Sequence, residues 1–343
     1  MNIEELVRTN IKNLTAYSSA RSEFQAENAI FLDANESPFG KYNRYPDPYQ
    51  KKLKKLISQY KNVLYEQIFL GNGSDEILDV LMRVFLEPHQ DSILIFPPTY
   101  GMYEVLANIN AVKIHQIPLN NEFDLDLPAI QAFLQTHQPK MAILCSPNNP
   151  TGNLVQGIQE FLQIFKGVVV IDEAYIDFAS PYSSCLKYLN EYPNVIISQT
   201  LSKAWGLAGV RIGMAFANPV IVSYMHKVKY PYNISVLNQK KAITALINVE
   251  KTQKRITKIL NNKNYLISAL KKLKCIHHIY PSDANFVLIR VADANLMYQK
   301  LLSVPVVVRN RHSQIPNTLR ITVGKKSEID VLLHHLEQIQ NEL

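Results

Sequence analysis

The sequence predicts an α/β protein with a large domain, in which a mostly parallel sheet lies between helices, and a smaller α+β domain. Short apolar runs recur through the middle of the chain, each followed by a polar turn rich in Pro or Gly, and helical patterns separate several of them. This alternation favours strand–helix units. Beyond about residue 235 a long Lys-rich helical stretch follows, which indicates a second unit. The length of 343 residues also suits two domains.

Four apolar runs are predicted to be buried strands of the large sheet, at residues 93–96, 142–145, 168–171 and 195–197. Strands buried on both faces read as continuous apolar runs, as these do. The clearest helical pattern places Ile77, Leu81 and Phe85 on one face. We expect the large domain to span residues 40–235.

The small domain is predicted to begin with a helical stretch that runs through Lys274 and to continue with strands at 286–289, 304–308 and 319–323. The first forty residues show no strand–helix unit of their own. We therefore group residues 1–39, as an N-terminal arm, with residues 236–343.

Composition excludes several classes of function. Hydrophobic residues make up 47% and charged residues 19% of the chain, which suits a globular protein with a substantial core. The net charge of +7 indicates a solvated surface, because the densest basic run, residues 51–56, has leucines three apart like an amphipathic helix. No nucleic-acid-binding motif accompanies it. We expect no nucleic acid or membrane partner.

Cysteine and histidine patterns predict neither a disulfide framework nor a metal site. Cys145, Cys185 and Cys275 are an odd number without C-x-x-C spacing, and no H-E-x-x-H motif occurs. The N-terminus has no basic segment followed by an apolar stretch. A cytoplasmic location is the expectation.

Polar side chains follow each predicted strand, and in a parallel sheet they would converge on one rim. They are Tyr100, Asn149, Asp172 with Tyr175, and Ser202 with Lys203. An amine, a buried carboxylate and an aromatic face are what a pyridine aldehyde phosphate needs. The lysine forms an imine, the carboxylate keeps the ring nitrogen protonated, and the aromatic and polar groups orient the ring.

A phosphate site is predicted where the Gly-rich turn at residues 71–76 opens into the helix that begins near Ile77. Free N–H groups at a helix N-terminus bind phosphate. Ser202 and Arg211 would add a hydroxyl and a fixed positive charge.

Each signal has a simpler interpretation by itself. A strand that ends on Asp172-Glu173 also resembles a Walker B element, but the chain contains no G-x-x-x-x-G-K-[ST] phosphate loop. Ser74 and Asp75 could be only an N-cap and a first-turn acid, and Lys203 could be a surface lysine. Five signals in chain order, each at a strand end or a helix start, favour the cofactor site.

With these motifs the sequence resembles the fold-type I pyridoxal-phosphate aminotransferases, and within them the histidinol-phosphate aminotransferase family, from residues 13–17 to residues 319–324. The resemblance implies that Lys203 forms the Schiff base with pyridoxal 5′-phosphate and shuttles the proton. Asp172 would pair with the pyridine nitrogen. Tyr175 and Asn149 would bond the ring hydroxyl, and Tyr100 would stack on the ring.

The resemblance also assigns the phosphate contacts. They are the backbone amides of Ser74 and Asp75, together with Ser202 and Arg211. Tyr45 would reach the phosphate of the neighbouring subunit's cofactor, which implies an obligate homodimer with shared sites.

Four further residues are implied to bind substrate: Tyr17, Asn35, Arg309 and Arg320. The implied reaction is transamination between L-histidinol phosphate and 2-oxoglutarate, which yields imidazole-acetol phosphate and L-glutamate in histidine biosynthesis. Two arginines suit a phosphorylated substrate, although an arginine like Arg320 also binds the α-carboxylate in ordinary amino-acid aminotransferases. Trp205 stands where the family more often has phenylalanine, and we expect only local repacking from it.

Three other functions stay open at this point. An aromatic amino-acid aminotransferase would share every cofactor residue, and a phosphothreonine decarboxylase would share the fold. A regulator that binds the cofactor without turnover normally has an extra N-terminal DNA-binding domain. We expect none here, because the aminotransferase-like pattern begins almost at once.

Overall fold

A computed structural model describes residues 2–17 and 30–342 and contains two sheets. The larger sheet has seven strands in the order β1-β7-β6-β5-β4-β2-β3. Its strands are β1 (Ile68–Gly71), β2 (Ser92–Ile95), β3 (Lys113–Gln116), β4 (Met141–Cys145), β5 (Val168–Asp172), β6 (Val195–Thr200) and β7 (Gly213–Ala217). Strands β3, β2, β4, β5 and β6 pair in parallel, and β7 pairs antiparallel with β6 and β1. The predicted parallel sheet is confirmed.

The smaller sheet is antiparallel, in the order β10-β11-β9-β8. Its strands are β8 (Ile276–Ile279), β9 (Phe286–Val291), β10 (Arg309–Asn310) and β11 (Thr318–Thr322). Helices α10 (Val249–Leu270), α11 (Ala294–Ser303) and α12 (Lys326–Glu342) accompany this sheet. Together they form the predicted smaller unit with its own core.

The remaining helices are distributed around the large sheet. They are α1 (Ile3–Leu6), α2 (Thr9–Lys12), α3 (Lys51–Lys61), α4 (Ser74–Phe85), α5 (Met102–Ile109), α6 (Leu127–Leu134), α7 (Ile158–Ile164), α8 (Pro219–Val228) and α9 (Val236–Ile247). Short 3₁₀ segments occur at Tyr65–Gln67, Ile176–Phe178, Pro181–Ser183, Cys185–Tyr188 and Ala208–Val210. None of the helices in the described part of the chain is long and apolar enough to cross a membrane.

The central strands are apolar throughout because both faces of the large sheet are covered. Successive side chains of a strand point to opposite faces. Leu144 of β4 and Ile171 of β5 accordingly pack in one core cluster, while their neighbours Ile143 and Val170 pack in the other. Two cores, one on each face, hold the carboxyl ends of these strands rigidly in register.

Helix α3 contains the basic run and is amphipathic, as predicted. Leu53 and Ile57 are buried, whereas Lys51, Lys52 and Lys55 are exposed. Lys54 departs from the prediction of a solvated basic face. It is buried with its ammonium 4.3 Å from the centre of the Tyr65 ring, and burial lowers its pKa to about 8.

The predicted strand at residues 304–308 is wrong. Helix α11 ends at Ser303, and the N–H of Val306 donates to the carbonyl of Leu301 at 2.9 Å. That bond helps to terminate the helix and is not available to a sheet, and Val307 is 76% exposed. Strand pairing begins only at Arg309. The predicted single helical stretch through Lys274 is also divided at Asn248, between α9 and α10.

Two regions pack differently from the domain division that we predict. Ile3, Val7 and Ile11 of the N-terminal helices join a core cluster of the large sheet, and Arg8 pairs with Glu87 at 3.0 Å. Helix α9 packs on α3. Both regions therefore contact the large unit, because their apolar faces meet its helices. The exact boundary near residue 235 stays a prediction.

Candidate active site

One cavity of about 420 Å³ opens at the carboxyl ends of β4, β5 and β6. Most of the predicted site residues line it: Ser74, Asp75, Tyr100, Asn149, Asp172, Tyr175, Ser202, Lys203, Arg211, Arg309 and Arg320. The sequence prediction did not include four others: Cys145, Ala174, Thr200 and Arg311. The rim of the parallel sheet thus brings the polar clusters together.

Asp172 is the last residue of β5, and its carboxylate is buried with fixed partners. Oδ2 accepts a hydrogen bond from the Tyr103 hydroxyl at 2.8 Å, and Oδ1 accepts one from the Ala174 N–H at 3.1 Å. Burial raises the pKa of Asp172 from 3.8 to about 6, and the two hydrogen bonds oppose that rise. Sequence reasoning missed Tyr103. The signal was its position one turn after Tyr100 on the side of α5 that faces the sheet.

Lys203 follows β6 and is partly exposed to solvent in the single chain. Its ammonium lies 5.5 Å from the centre of the Tyr175 ring. Partial burial, together with the positive charge of Arg320, lowers the pKa of Lys203 below its usual value. A lysine with a lowered pKa is a better nucleophile, because more of it is the neutral amine at neutral pH.

The N-terminus of α4 lies at another part of the cavity wall, where Ser74 and Asp75 line the cavity. Gly73 has φ +87°, and a Cβ there would clash with the guanidinium of Arg211. Among the described residues no side chain caps the helix start at Ser74. Arg211 Nη2 lies 3.8 Å from Asp75 Oδ2. Backbone N–H groups and a guanidinium are therefore both available to an anion.

The hydroxyl of Ser202 and the aromatic rings complete this part of the cavity. Ser202 Oγ accepts a hydrogen bond from Thr200 at 2.9 Å. Tyr100 donates to Asp75 at 3.5 Å, and burial raises its pKa to about 12. Tyr175 is buried, with its ring edge-on to Phe286 at 5.1 Å. Both tyrosines therefore stay neutral.

Three arginines form a positive wall. Arg309 and Arg320 lie directly opposite each other in the β10–β11 pair, and Arg311 follows two residues after Arg309. Arg320 donates to the Asn149 side-chain oxygen. The Nε atoms of Arg311 and Arg320 are buried and meet no acceptor among the described residues. Burial and the neighbouring arginines lower the pKa of Arg311 to about 10. Clustered cations with unsatisfied donors favour an anionic ligand.

Three predicted residues do not line this cavity within one chain. Tyr45 stacks on Tyr232, with ring centres 4.4 Å apart, and with Asn35 it lines a separate cavity of about 750 Å³. Tyr17 is 69% exposed and lies beside Tyr49. The predicted substrate set of Tyr17, Asn35, Arg309 and Arg320 is therefore not assembled by a single chain.

The residues that are present fit pyridoxal 5′-phosphate. A buried carboxylate can face a ring nitrogen, an amine with lowered pKa can bond the aldehyde, and an uncapped helix start with Arg211 can hold the phosphate. A volume of about 420 Å³ lies within the range of small-ligand sites.

Comparison with known proteins supports the same conclusion about the family. Residues 15–336 match the family model described as aminotransferase class I and II. A histidinol-phosphate aminotransferase from Cytophaga hutchinsonii is 48% identical over 98% of both chains. The crystal structure of a histidinol-phosphate aminotransferase from Clostridium acetobutylicum superposes with a TM-score of 0.81 at 25% identity, covering 88% of this chain and 92% of the other.

A second solved structure is a histidinol-phosphate aminotransferase from Sinorhizobium meliloti in complex with pyridoxal-5′-phosphate. It has a TM-score of 0.81 and 23% identity, and the match covers 90% of each chain. At that identity it supports the fold alone. The family match over nearly the whole chain, together with the cavity at the strand ends, leads to one conclusion: the chain belongs to the class I and II aminotransferases.

Proposed function

We propose that this protein is a pyridoxal-phosphate-dependent transaminase that converts L-histidinol phosphate and 2-oxoglutarate to imidazole-acetol phosphate and L-glutamate in histidine biosynthesis. The observation that carries the proposal is the arginine wall of Arg309, Arg311 and Arg320, which lines the same cavity as Lys203 and Asp172. The 48% identical relative is named as a histidinol-phosphate aminotransferase. A cytoplasmic location is part of the same proposal.

The residues around the cavity are proposed to have different roles in the reaction. When bound, pyridoxal phosphate supplies a protonated pyridine ring that withdraws electrons from the bond broken at the substrate α-carbon. Asp172 would hold the proton on the ring nitrogen. Lys203 would bond the cofactor aldehyde and, once freed by the substrate amine, would be placed to move a proton between the substrate α-carbon and the cofactor C4′. Arg211 and the start of α4 would hold the cofactor phosphate.

The arginine wall selects the substrate. Guanidinium groups bind phosphate through two parallel hydrogen bonds, and such bonds are stronger when both partners are charged. The buried Nε atoms of Arg311 and Arg320 lack acceptors among the described residues. The phosphate of a phosphorylated amine would supply oxygen atoms that accept hydrogen bonds from them. 2-Oxoglutarate offers carboxylates to the same groups, so one wall can serve both half reactions.

The protein is proposed to act as a homodimer with shared sites. Tyr45, Asn35 and Tyr17 lie away from the cavity of their own chain, and in a dimer they would serve the neighbouring chain's site. Mixing Lys203→Ala with Tyr45→Ala subunits tests this arrangement. Each hybrid dimer would contain one intact site, and random mixing should restore about a quarter of wild-type activity. Recovery of no activity would count against shared sites.

Substrate competition tests the reaction. Purified protein with bound cofactor is given 2-oxoglutarate and L-histidinol phosphate, L-histidinol or L-phenylalanine, and glutamate formation is followed. We expect histidinol phosphate to give the highest kcat/KM, because it alone carries a phosphate for the arginines. A higher kcat/KM for phenylalanine would indicate an aromatic aminotransferase. Release of carbon dioxide from phosphothreonine without an acceptor would indicate a decarboxylase.

A further inference from the structure

Side chains outside the cavity hold the Gly-rich turn that precedes α4. Asn233 Nδ2 donates to the carbonyl of Leu70 at 3.1 Å and to Glu76 Oε2 at 2.9 Å. The same Glu76 oxygen accepts a hydrogen bond from the Asn72 N–H. Asn233 therefore bonds to the residue before the turn, and Glu76 bonds to a residue within it.

The side-chain oxygen of Asn233 is also fully hydrogen-bonded. Its Oδ1 accepts hydrogen bonds from Gln50 at 3.3 Å and from Lys229 at 3.4 Å. Lys229 is buried and donates further to the carbonyls of Tyr230 and Pro231. Its ammonium charge offsets the negative charge of Glu76, and the Glu76 carboxylate opposes the lowering of the Lys229 pKa by burial. Both N–H donors and both acceptor positions of the Asn233 amide are therefore occupied, so it cannot form a new hydrogen bond without breaking an existing one.

The turn itself has little room to move. A Cβ on Gly213 of β7 would lie 2.6 Å from the N atom of Ser74, and a Cβ on Gly71 would lie 2.8 Å from Ile77 Cγ1 and 3.3 Å from Glu76 Oε2. Backbone and side-chain atoms thus pack tightly against the turn on several sides. A shift of the Glu76 carboxylate would move the first N–H groups of α4, because it is bonded to the turn directly.

We propose that Glu76 and Asn233 are positioning residues for phosphate binding, and that they fix the N–H groups at the start of α4 before the cofactor phosphate arrives. This inference rests on the proposed function, since it assumes that the phosphate binds at this turn. A pre-organised donor set binds more tightly because less ordering accompanies binding.

Asn233 also connects the turn to the segment that contains Tyr45. Asn233 follows Tyr232 in sequence, and Tyr232 stacks on Tyr45 at 4.4 Å between ring centres. Asn233 also accepts from Gln50, which in turn donates to the carbonyl of Pro48. One asparagine therefore ties the phosphate turn to the segment from which Tyr45 is proposed to reach the neighbouring site.

The test measures cofactor affinity with and without the phosphate group. Apo-protein is titrated with pyridoxal 5′-phosphate and with pyridoxal, for wild type, Glu76→Ala, Glu76→Gln and Asn233→Ala. We expect Glu76→Ala and Asn233→Ala to weaken pyridoxal phosphate binding by about 10- to 100-fold, as for lost hydrogen bonds to a charged group. Pyridoxal binding should change by less than about threefold. Glu76→Gln should bind like wild type, because its amide oxygen still accepts both hydrogen bonds.

A matched control lies on the same helix. Asn110 Nδ2 donates to Asp79 Oδ1 at 3.0 Å, so it also joins an asparagine to a carboxylate of α4, but away from the turn. Asn110→Ala should leave the affinity ratio of the two ligands unchanged. If Glu76→Ala does not fold, Asn233→Asp replaces it, since a carboxylate cannot donate to Glu76.

The outcomes separate this inference from the proposed function. Equal losses for both ligands in the folded variants, or no loss for pyridoxal phosphate, would overturn the positioning role. A wild-type protein that does not bind pyridoxal phosphate at all would overturn the proposed function instead.

Discussion

Two parts of the active-site cavity differ in how completely their charged groups are hydrogen-bonded. At the strand ends, both oxygens of Asp172 already accept hydrogen bonds, from Tyr103 and from Ala174. At the β10–β11 hairpin, the Nε atoms of Arg311 and Arg320 are buried without an acceptor among the described residues. The Asp172 carboxylate is therefore hydrogen-bonded without a ligand, whereas the arginines keep donors that an anion could satisfy.

This difference separates the residues proposed for catalysis from those proposed for substrate selection. A charge held by fixed partners can stabilise a reacting group without rearrangement. A group of cations with unsatisfied donors instead gains most from whichever ligand brings a negative charge. Variants at the strand ends should therefore change kcat, and variants at the hairpin should change KM.

The largest effect is expected from Lys203→Ala. Without the amine that bonds the cofactor and moves the proton, kcat should fall by about 10⁴-fold or more. Steady-state kinetics measures the loss, and borohydride reduction followed by peptide mass spectrometry should find no cofactor adduct. Exposed Lys271→Ala is the control and should behave like wild type. A reducible adduct in Lys203→Ala protein would show that the reactive lysine is elsewhere.

Asp172→Asn should come next, with kcat lower by about 10²- to 10³-fold, because a neutral amide of the same shape no longer holds a proton on the ring nitrogen. The KM for histidinol phosphate should change little. A kcat within a few-fold of wild type would remove Asp172 from the catalytic set.

Arg309→Gln and Arg311→Gln should raise KM for histidinol phosphate by about 10- to 100-fold each, with a smaller change in kcat. The affected ligand is the phosphate, so turnover of unphosphorylated histidinol should fall much less. Arg290→Gln is the matched control, since Arg290 is an exposed residue of β9 in the same small sheet. Equal losses for both substrates would contradict selection by the arginine wall.

The smallest effect concerns the pH dependence of the apo-protein. Burial raises the pKa of Asp172 to about 6, so its protonated form favours the folded state. That contribution is complete below pH 4 and is lost as the pH rises through 6. Asp172→Asn apo-protein should therefore gain unfolding free energy relative to wild type between about pH 4 and 7, as measured by urea denaturation.

Tyr103→Phe should raise the pKa of the Asp172 carboxyl further, because the hydrogen bond from Tyr103 opposes the effect of burial. Infrared spectroscopy can follow the protonation of this carboxyl. An unchanged pKa would show that Tyr103 does not stabilise the Asp172 carboxylate.

The sequence predicted the strand ends well and the rest of the cavity less well, for physical reasons. Asp172 and Lys203 could be placed because an apolar run that stops at a polar residue marks the sheet rim. Tyr103 was missed because a buried aromatic on a helix has the same pattern whether it packs or donates a hydrogen bond. Arg311 was missed because an arginine beside a hairpin usually faces solvent.

One wrong prediction and one untested prediction have different origins. The valines at residues 304–308 have strand character, but a hydrogen bond that terminates α11 prevents pairing there. The positions of Tyr17 and Asn35 relative to the cavity depend on a second subunit in our proposal, and neither composition nor periodicity carries that information.

The central claim is transamination of histidinol phosphate at the Lys203 site, and a half reaction tests it most directly. Protein with bound cofactor is mixed with L-histidinol phosphate in the absence of 2-oxoglutarate, and the product is quantified. We predict a burst of about one imidazole-acetol phosphate per subunit, which then stops until 2-oxoglutarate is added. No burst with histidinol phosphate, together with a full burst of keto acid from phenylalanine, would contradict this account.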